Sequence, residues 1–217
     1  MHTLLPPTRP KPKLRGVVHL LSAVAAVPAT YWLFERARPG AASTVAVVYG
    51  VCLIVLFAVS AFYHTPMWQP ATRRKLRRLD RSAIFVFIAG SYMPFFTLLE
   101  HEHGYLVAPL VWAGAGLGIV KTLFVPNTSR FFTAFPYVAL GWIPVFFVPA
   151  LYAQHGGVVL SLILGGGLIY TVGALIYARR WPDPAPTYFG YHEIFHTMVT
   201  VAAGCHYIGA WRVLGPA

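Results

Sequence analysis

The chain has 217 residues, 57% of them hydrophobic and 11% charged, and its 17 Lys and Arg against 6 Asp and Glu give a formal charge of +11. A soluble domain carries about 25% charged residues, so this composition excludes an ordinary water-exposed surface, and the long apolar runs leave no room for a separate soluble domain. A nucleic-acid partner is also disfavoured, because its basic footprint would be gathered on one soluble face.

In chain order, a Pro- and Lys/Arg-rich head (residues 6–15, within a basic cytosolic arm of residues 1–15) reads as a mobile arm. It precedes seven apolar runs at about 16–34, 43–64, 80–99, 104–124, 131–151, 157–178 and 189–211, which make up a seven-helix transmembrane domain over residues 16–212. Each is close to the roughly 20 residues a helix needs to cross a hydrocarbon core of about 30 Å. The first run is too long for a signal-peptide core of roughly 7–15 residues and is followed by no cleavage region, so it reads as an uncleaved span. Pro28, Pro94, Pro136, Pro144 and Pro149 fall inside runs, where proline bends a membrane helix. Gly114 and Gly118 form a GxxxG pair in the fourth run, and Gly165, Gly166 and Gly167 lie in the sixth, a pattern suited to close helix packing. No strand or βαβ context surrounds Gly114-Ala115-Gly116, so it is no dinucleotide fingerprint. Cys52 and Cys205 lie within apolar runs and read as small buried hydrophobes.

Charge sets the expected orientation. With the N-terminus cytosolic, the inner segments hold Arg9, Lys11, Lys13, Arg15, Arg73, Arg74, Lys75, Arg77, Arg78, Arg81, Lys121, Arg130, Arg179 and Arg180. Only Arg36, Arg38 and Arg212 fall outside, as the positive-inside rule requires. Seven spans put the C-terminus outside, and an even number would bring it back in. The inner cluster from Arg73 to Arg81 also suits anionic lipid headgroups, each cation near such a surface being worth about 1 kcal/mol.

Ionisable groups inside a membrane are costly and generally face a protein interior or cavity. Ser60 and His64 are four residues apart and share a helix face near the inner end of the second run; His192 and His196 do the same in the seventh. Asp80 stands at the inner start of the third run, so the five residues agree in depth. Three imidazoles and a carboxylate form a natural donor set for zinc, which with three protein ligands keeps a fourth position for water and lowers that water's pKa to about 7. Asp80 is placed to hold or deprotonate the water. Ser60 is placed to hydrogen-bond a ligand, Asp80 or an oxyanion. The string His192-Glu193-Ile194-Phe195-His196 also matches HExxH, in which the Glu is the general base of a metalloprotease. Against an intramembrane protease, only 21 residues follow His196, so the remaining ligand must come from upstream, where His64 is available. Glu193 is therefore either a base or the partner of an arginine at the inner boundary.

Ser60-Ala61-Phe62-Tyr63-His64, Leu79-Asp80-Arg81-Ser82-Ala83-Ile84 and Tyr191-His192-Glu193-Ile194-Phe195-His196, continuing to His206-Tyr207, resemble the three polar elements of the hemolysin III proteins. These belong with the progestin and adipoQ receptors and are related to alkaline ceramidases. The resemblance covers nearly the whole chain. It implies seven spans with a cytosolic N-terminus in a bacterial plasma membrane, zinc on His64, His192 and His196, an acid at Asp80 that reaches the metal through water, and Ser60 in the same constellation. The position of Glu193 can carry Gln in animal receptors of the family, which argues against a required base.

The activity this implies is zinc-dependent hydrolysis of a lipid amide or ester, with Asp80 and Ser60 as catalytic residues and membrane lipids as partners. The alternative is a receptor-like or cytolytic membrane protein whose zinc is purely structural. His19 and His206 read as interior polar contacts, and His206 is about 15 Å along the helix from His196, too far to share its metal. His2, His101, His103 and His155 read as solvent-exposed.

Overall fold

The structure, a computed structural model, describes residues 11–99 and 104–216. Among the described residues the regular structure is helical, apart from one isolated bridge between Ala185 and Phe189. In chain order the helices are α1 (Val17–Arg36), α2 (Ala41–His64), α3 (Pro70–Phe96), α4 (Gly104–Phe124), α5 (Arg130–Gly141), α6 (Val148–Arg179) and α7 (Tyr191–Leu214), with a 3₁₀ turn at Ile143–Phe147 between α5 and α6. The stretches Val17–Arg36, Ala41–His64, Leu106–Phe124 and Arg130–Arg179 are long and apolar enough to cross a membrane. The molecule is a membrane helical protein. Its outer faces carry bare aliphatic and aromatic side chains, Leu21, Val24, Leu117 and Phe146 being 65%, 67%, 73% and 81% exposed, a surface suited to lipid rather than water.

Two boundaries differ from the sequence expectation. α3 begins at Pro70, ten residues before the third apolar run, because proline fits the first helical turn and the Arg and Lys residues that follow are good helix formers. Asp80 therefore lies well inside a helix. The fifth and sixth runs are joined into one helical stretch and separated inside it: Gly156 adopts φ 75°, ψ 170°, a left-sided conformation that glycine reaches without a Cβ clash. The fifth run thus comprises α5, the 3₁₀ turn and the first part of α6.

The helices pack in sequence, α1 on α2, α2 on α3, α3 on α4 and α6 on α7, and α1 closes against α7 while α2 and α3 also reach α7 across the middle. Tyr49, Leu33, Val111, Leu151 and Leu214 are among the fully enclosed side chains. α1 and α7 run parallel, joined rung by rung: Arg15 pairs with Glu193, the His19 ring faces His196, Ser22 Oγ meets Thr200 Oγ1 at 3.0 Å, and the Tyr207 hydroxyl donates to the Ala29 carbonyl at 2.8 Å.

The described part of the basic arm is docked rather than mobile. Lys13 and Leu14 donate backbone N–H groups to the Thr187 and Tyr188 carbonyls at 3.0 and 3.2 Å, and the Lys11 ammonium donates to the Thr65 carbonyl at 2.7 Å. These contacts draw the arm across the loop ends beside α2 and α7.

Candidate metal centre

His64 is the last residue of α2, while His192 and His196 lie one turn apart at the start of α7, so their side chains leave one face of that helix. The three side chains offer ring nitrogens that all lie within 4.8 Å of one another. His64 Nε2 and His192 Nε2 are 3.3 Å apart, and the ring centroids of the three pairs are separated by 4.6 to 4.8 Å. A tetrahedral site with metal–nitrogen bonds of about 2.0–2.1 Å has nitrogen–nitrogen edges of about 3.3 Å. One edge of the cluster has this length and the others lie within 4.8 Å, a spacing compatible with a tetrahedral transition metal, and imidazole donors suit zinc, copper, iron or nickel.

Asp80 Oδ2 lies 3.8 Å from His64 Nε2, with 16% of the Asp80 side chain and 10% of the His64 side chain exposed. Ser60, 4% exposed and one turn before His64, lies beside the Asp80 carboxyl. α2, α3 and α7 thereby bring Ser60, His64, Asp80, His192 and His196 to one end of the bundle.

Glu193, within the HExxH string, is 1% exposed, and both its oxygens are engaged. Oε1 accepts from Arg15 Nε, and Oε2 accepts the Gly190 N–H at 2.8 Å, which caps the start of α7. Asp183 Oδ1 takes the neighbouring Tyr191 N–H at 3.0 Å. Of the two roles open to Glu193 in the sequence, the arginine pair is the one formed, and it fixes the first turn that carries two of the histidines.

The remaining histidines separate. His206 places Nε2 3.2 Å from the Ile163 carbonyl, away from the cluster. His155 corrects the expectation of a solvent-exposed residue: it is half-buried, with Nε2 3.0 Å from the Phe95 carbonyl, because the break at Gly156 keeps it on the helix rather than in a loop. His2, His101 and His103 lie outside the described residues. His19 adjoins the cluster directly, its ring stacked on that of His196. It occupies the third position of α1, near the same end of the bundle as the other site residues; the sequence alone reads it as an interior polar contact, and its place early in the first run is the signal that could have linked it to the site.

Fold and site together define a helical membrane protein with a three-histidine cluster at one end of its bundle. The family model "Haemolysin-III related" matches residues 8–207, and the chain belongs to this family. The "Hemolysin-3 homolog" of Bacillus subtilis (strain 168) is 30% identical over 85% of this chain and 85% of its own. "Hemolysin-3" of Bacillus cereus is 31% identical over 75% of each. The "Heptahelical transmembrane protein ADIPOR2" of Oryza sativa subsp. japonica is 31% identical over 62% of this chain and 68% of its own. The protein is an integral membrane protein, and its Bacillus relatives accord with a bacterial plasma membrane.

Proposed function

We propose that this is a multi-pass membrane hydrolase of a lipid amide or ester, with zinc held by His64, His192 and His196 near the cytosolic face. The convergence of three imidazole nitrogens within 4.8 Å, with a carboxylate 3.8 Å from one of them, carries this reading. Zinc bound there supplies a Lewis acid that polarises a carbonyl and brings the pKa of water to about 7. The protein's own groups handle the proton. Asp80 accepts it from the attacking water and returns it to the leaving amine or alcohol. Ser60 lies beside the Asp80 carboxyl, and once Asp80 carries the proton the Ser60 hydroxyl is free to donate to the oxygen on which negative charge develops. Glu193 takes no part in proton transfer, since its oxygens are held by Arg15 and Gly190. At one end of a bundle in the bilayer, the centre favours substrates arriving from the membrane, and the resemblance to alkaline ceramidases points to an amide.

Seven crossings with the N-terminus cytosolic complete the proposal. Parallel α1 and α7 support an odd number of crossings, and the plant relative is named heptahelical. The exposed cations Arg73, Arg74, Lys75 and Arg78, on the opening turns of α3, form a surface for anionic headgroups.

The test measures metal content and turnover of a ceramide and lipid-ester panel by the purified protein. The parent is expected to hold one zinc per chain and hydrolyse an amide; His196→Ala should lose both zinc and turnover, and Asp80→Ala should lose turnover while keeping zinc. Stoichiometric zinc without hydrolysis of any lipid sinks the enzymatic half. A structural metal is then the reading that remains, favoured by the way the cluster ties α2 to α7, and its signature is a chelator-induced drop in thermal midpoint.

A further inference from the structure

His19 is built into the same end of the bundle as the three-histidine cluster. Its ring is 3% exposed and lies flat on that of His196, with centroids 3.9 Å apart and planes within 1°. On another side it meets the Phe57 ring edge-on at 5.1 Å. Arg15–Glu193 and Ser22–Thr200 bracket this stack along α1 and α7, so the ring cannot slide along α7. Among the described residues neither nitrogen of His19 has a hydrogen-bond partner. Burying an unsatisfied polar atom is destabilising, and a phenyl ring would fill the same space without that cost. Stability alone therefore does not account for a histidine here.

The stack acts on His196. A flat ring 3.9 Å away blocks rotation of the His196 imidazole about its last torsion, which keeps its edge turned toward His64 and His192. When His196 commits a lone pair to a cation, its ring becomes electron-poor, and the electron-rich face of a neutral imidazole is the favourable neighbour, on the same electrostatics that draws cations to aromatic faces.

We propose that His19 is a positioning residue of the metal centre, acting through His196 by fixing its ring plane and stabilising the ring when it ligates a metal. This rests on the metal reading above.

The test uses the full chain purified in detergent, with Zn²⁺ affinity measured by competition and the visible spectrum of bound Co²⁺ as a report of coordination geometry. His19→Leu removes the flat ring while keeping an apolar side chain of similar size, and is expected to weaken Zn²⁺ binding about 10- to 100-fold, the usual cost of losing a group that orients a ligand. His19→Phe keeps the flat ring and is expected to recover most of that loss and the parent Co²⁺ spectrum. Both variants, freed of two unpaired buried nitrogens, should show apo thermal midpoints equal to or above the parent's. The proposal is overturned if His19→Leu binds as the parent does, if His19→Phe falls as far as His19→Leu, or if the apo midpoint falls together with affinity. A parent that binds neither ion overturns the metal centre itself, a result distinct from a metal-binding parent whose variants do not differ.

Discussion

Glu193 shows how a motif and a local structure compete for one residue. In HExxH it would be a base, but here it is 1% exposed, caps Gly190 and pairs with Arg15, 178 residues away in sequence. Glu193→Gln keeps the cap and removes the charge, so turnover and zinc content are expected to stay near the parent's, whereas loss of a base would abolish turnover. Glu193→Ala removes cap and pair together. Leaving one partner of a buried ion pair uncompensated costs about 3–5 kcal/mol, and because Arg15 is 20% exposed the expected loss lies at the low end, read as a fall in the thermal midpoint. The five residues of the candidate site were legible because i,i+4 spacing and common depth are properties of a single chain position and its helix. The partner of Glu193 was not, since no local pattern ties residue 15 to residue 193. His19 falls between the two: its depth was legible, but its ring contact with His196 depends on how α1 sits against α7.

Hydropathy located the apolar portion of each helix but not its ends, because nothing stops a helix at the membrane boundary. α3 runs on from Pro70 through the charged turns to Asp80, and although the break at Gly156 falls in the gap expected between the fifth and sixth runs, the helix continues up to it from Val148 and resumes directly after it. Small residues were read well in one helix and overread in another. Of Gly165, Gly166 and Gly167, a side chain would meet a neighbour only at Gly166, against His206, whereas in α4 both members of the expected pair are packed: Gly118 abuts the Phe85 ring as Gly114 abuts Leu140, while Gly116 faces open space. A stripe of glycines does not reveal which member touches the next helix. Gly118 and Gly116 make a matched experiment on α4. Gly118→Ala drives a methyl into Phe85, itself 2% exposed, and overpacking of this kind costs about 1–3 kcal/mol. Gly116→Ala meets nothing and removes the conformational freedom of glycine within a helix, a gain of about 0.5–1 kcal/mol. The thermal midpoint should fall for the first and hold or rise for the second; equal responses would mean that the α3–α4 approach does not depend on Gly118.

At the scale of the molecule, charge and packing bear on orientation independently. Fourteen of the 17 cations fall on one side if the seven apolar runs all cross, a bias readable from sequence alone. The parallel contact of α1 with α7 could not be read there, because it depends on which helices become neighbours. Arg15 with Glu193, Ser22 with Thr200 and Ala29 with Tyr207 keep one register of 178 residues from the start of α1 past its middle, and Arg36 at its end still meets Trp211, 175 residues on, which antiparallel helices could not do. If both helices cross the bilayer, parallel first and last crossings require an odd number in total, and the kink at Gly156 marks where Arg130–Arg179 would divide to give seven rather than six. An even count would turn α7 over against α1 and break every rung of the ladder. A reporter fused after Ala217 is therefore expected to read outside and one fused at the N-terminus to read cytosolic. Removing the cations Arg73, Arg74, Lys75, Arg77 and Arg78 should weaken this preference without separating α1 from α7, because the ladder draws on none of them. A cytosolic reading at both ends would refute the seven-crossing topology and, with it, the placement of the three-histidine cluster at the cytosolic face.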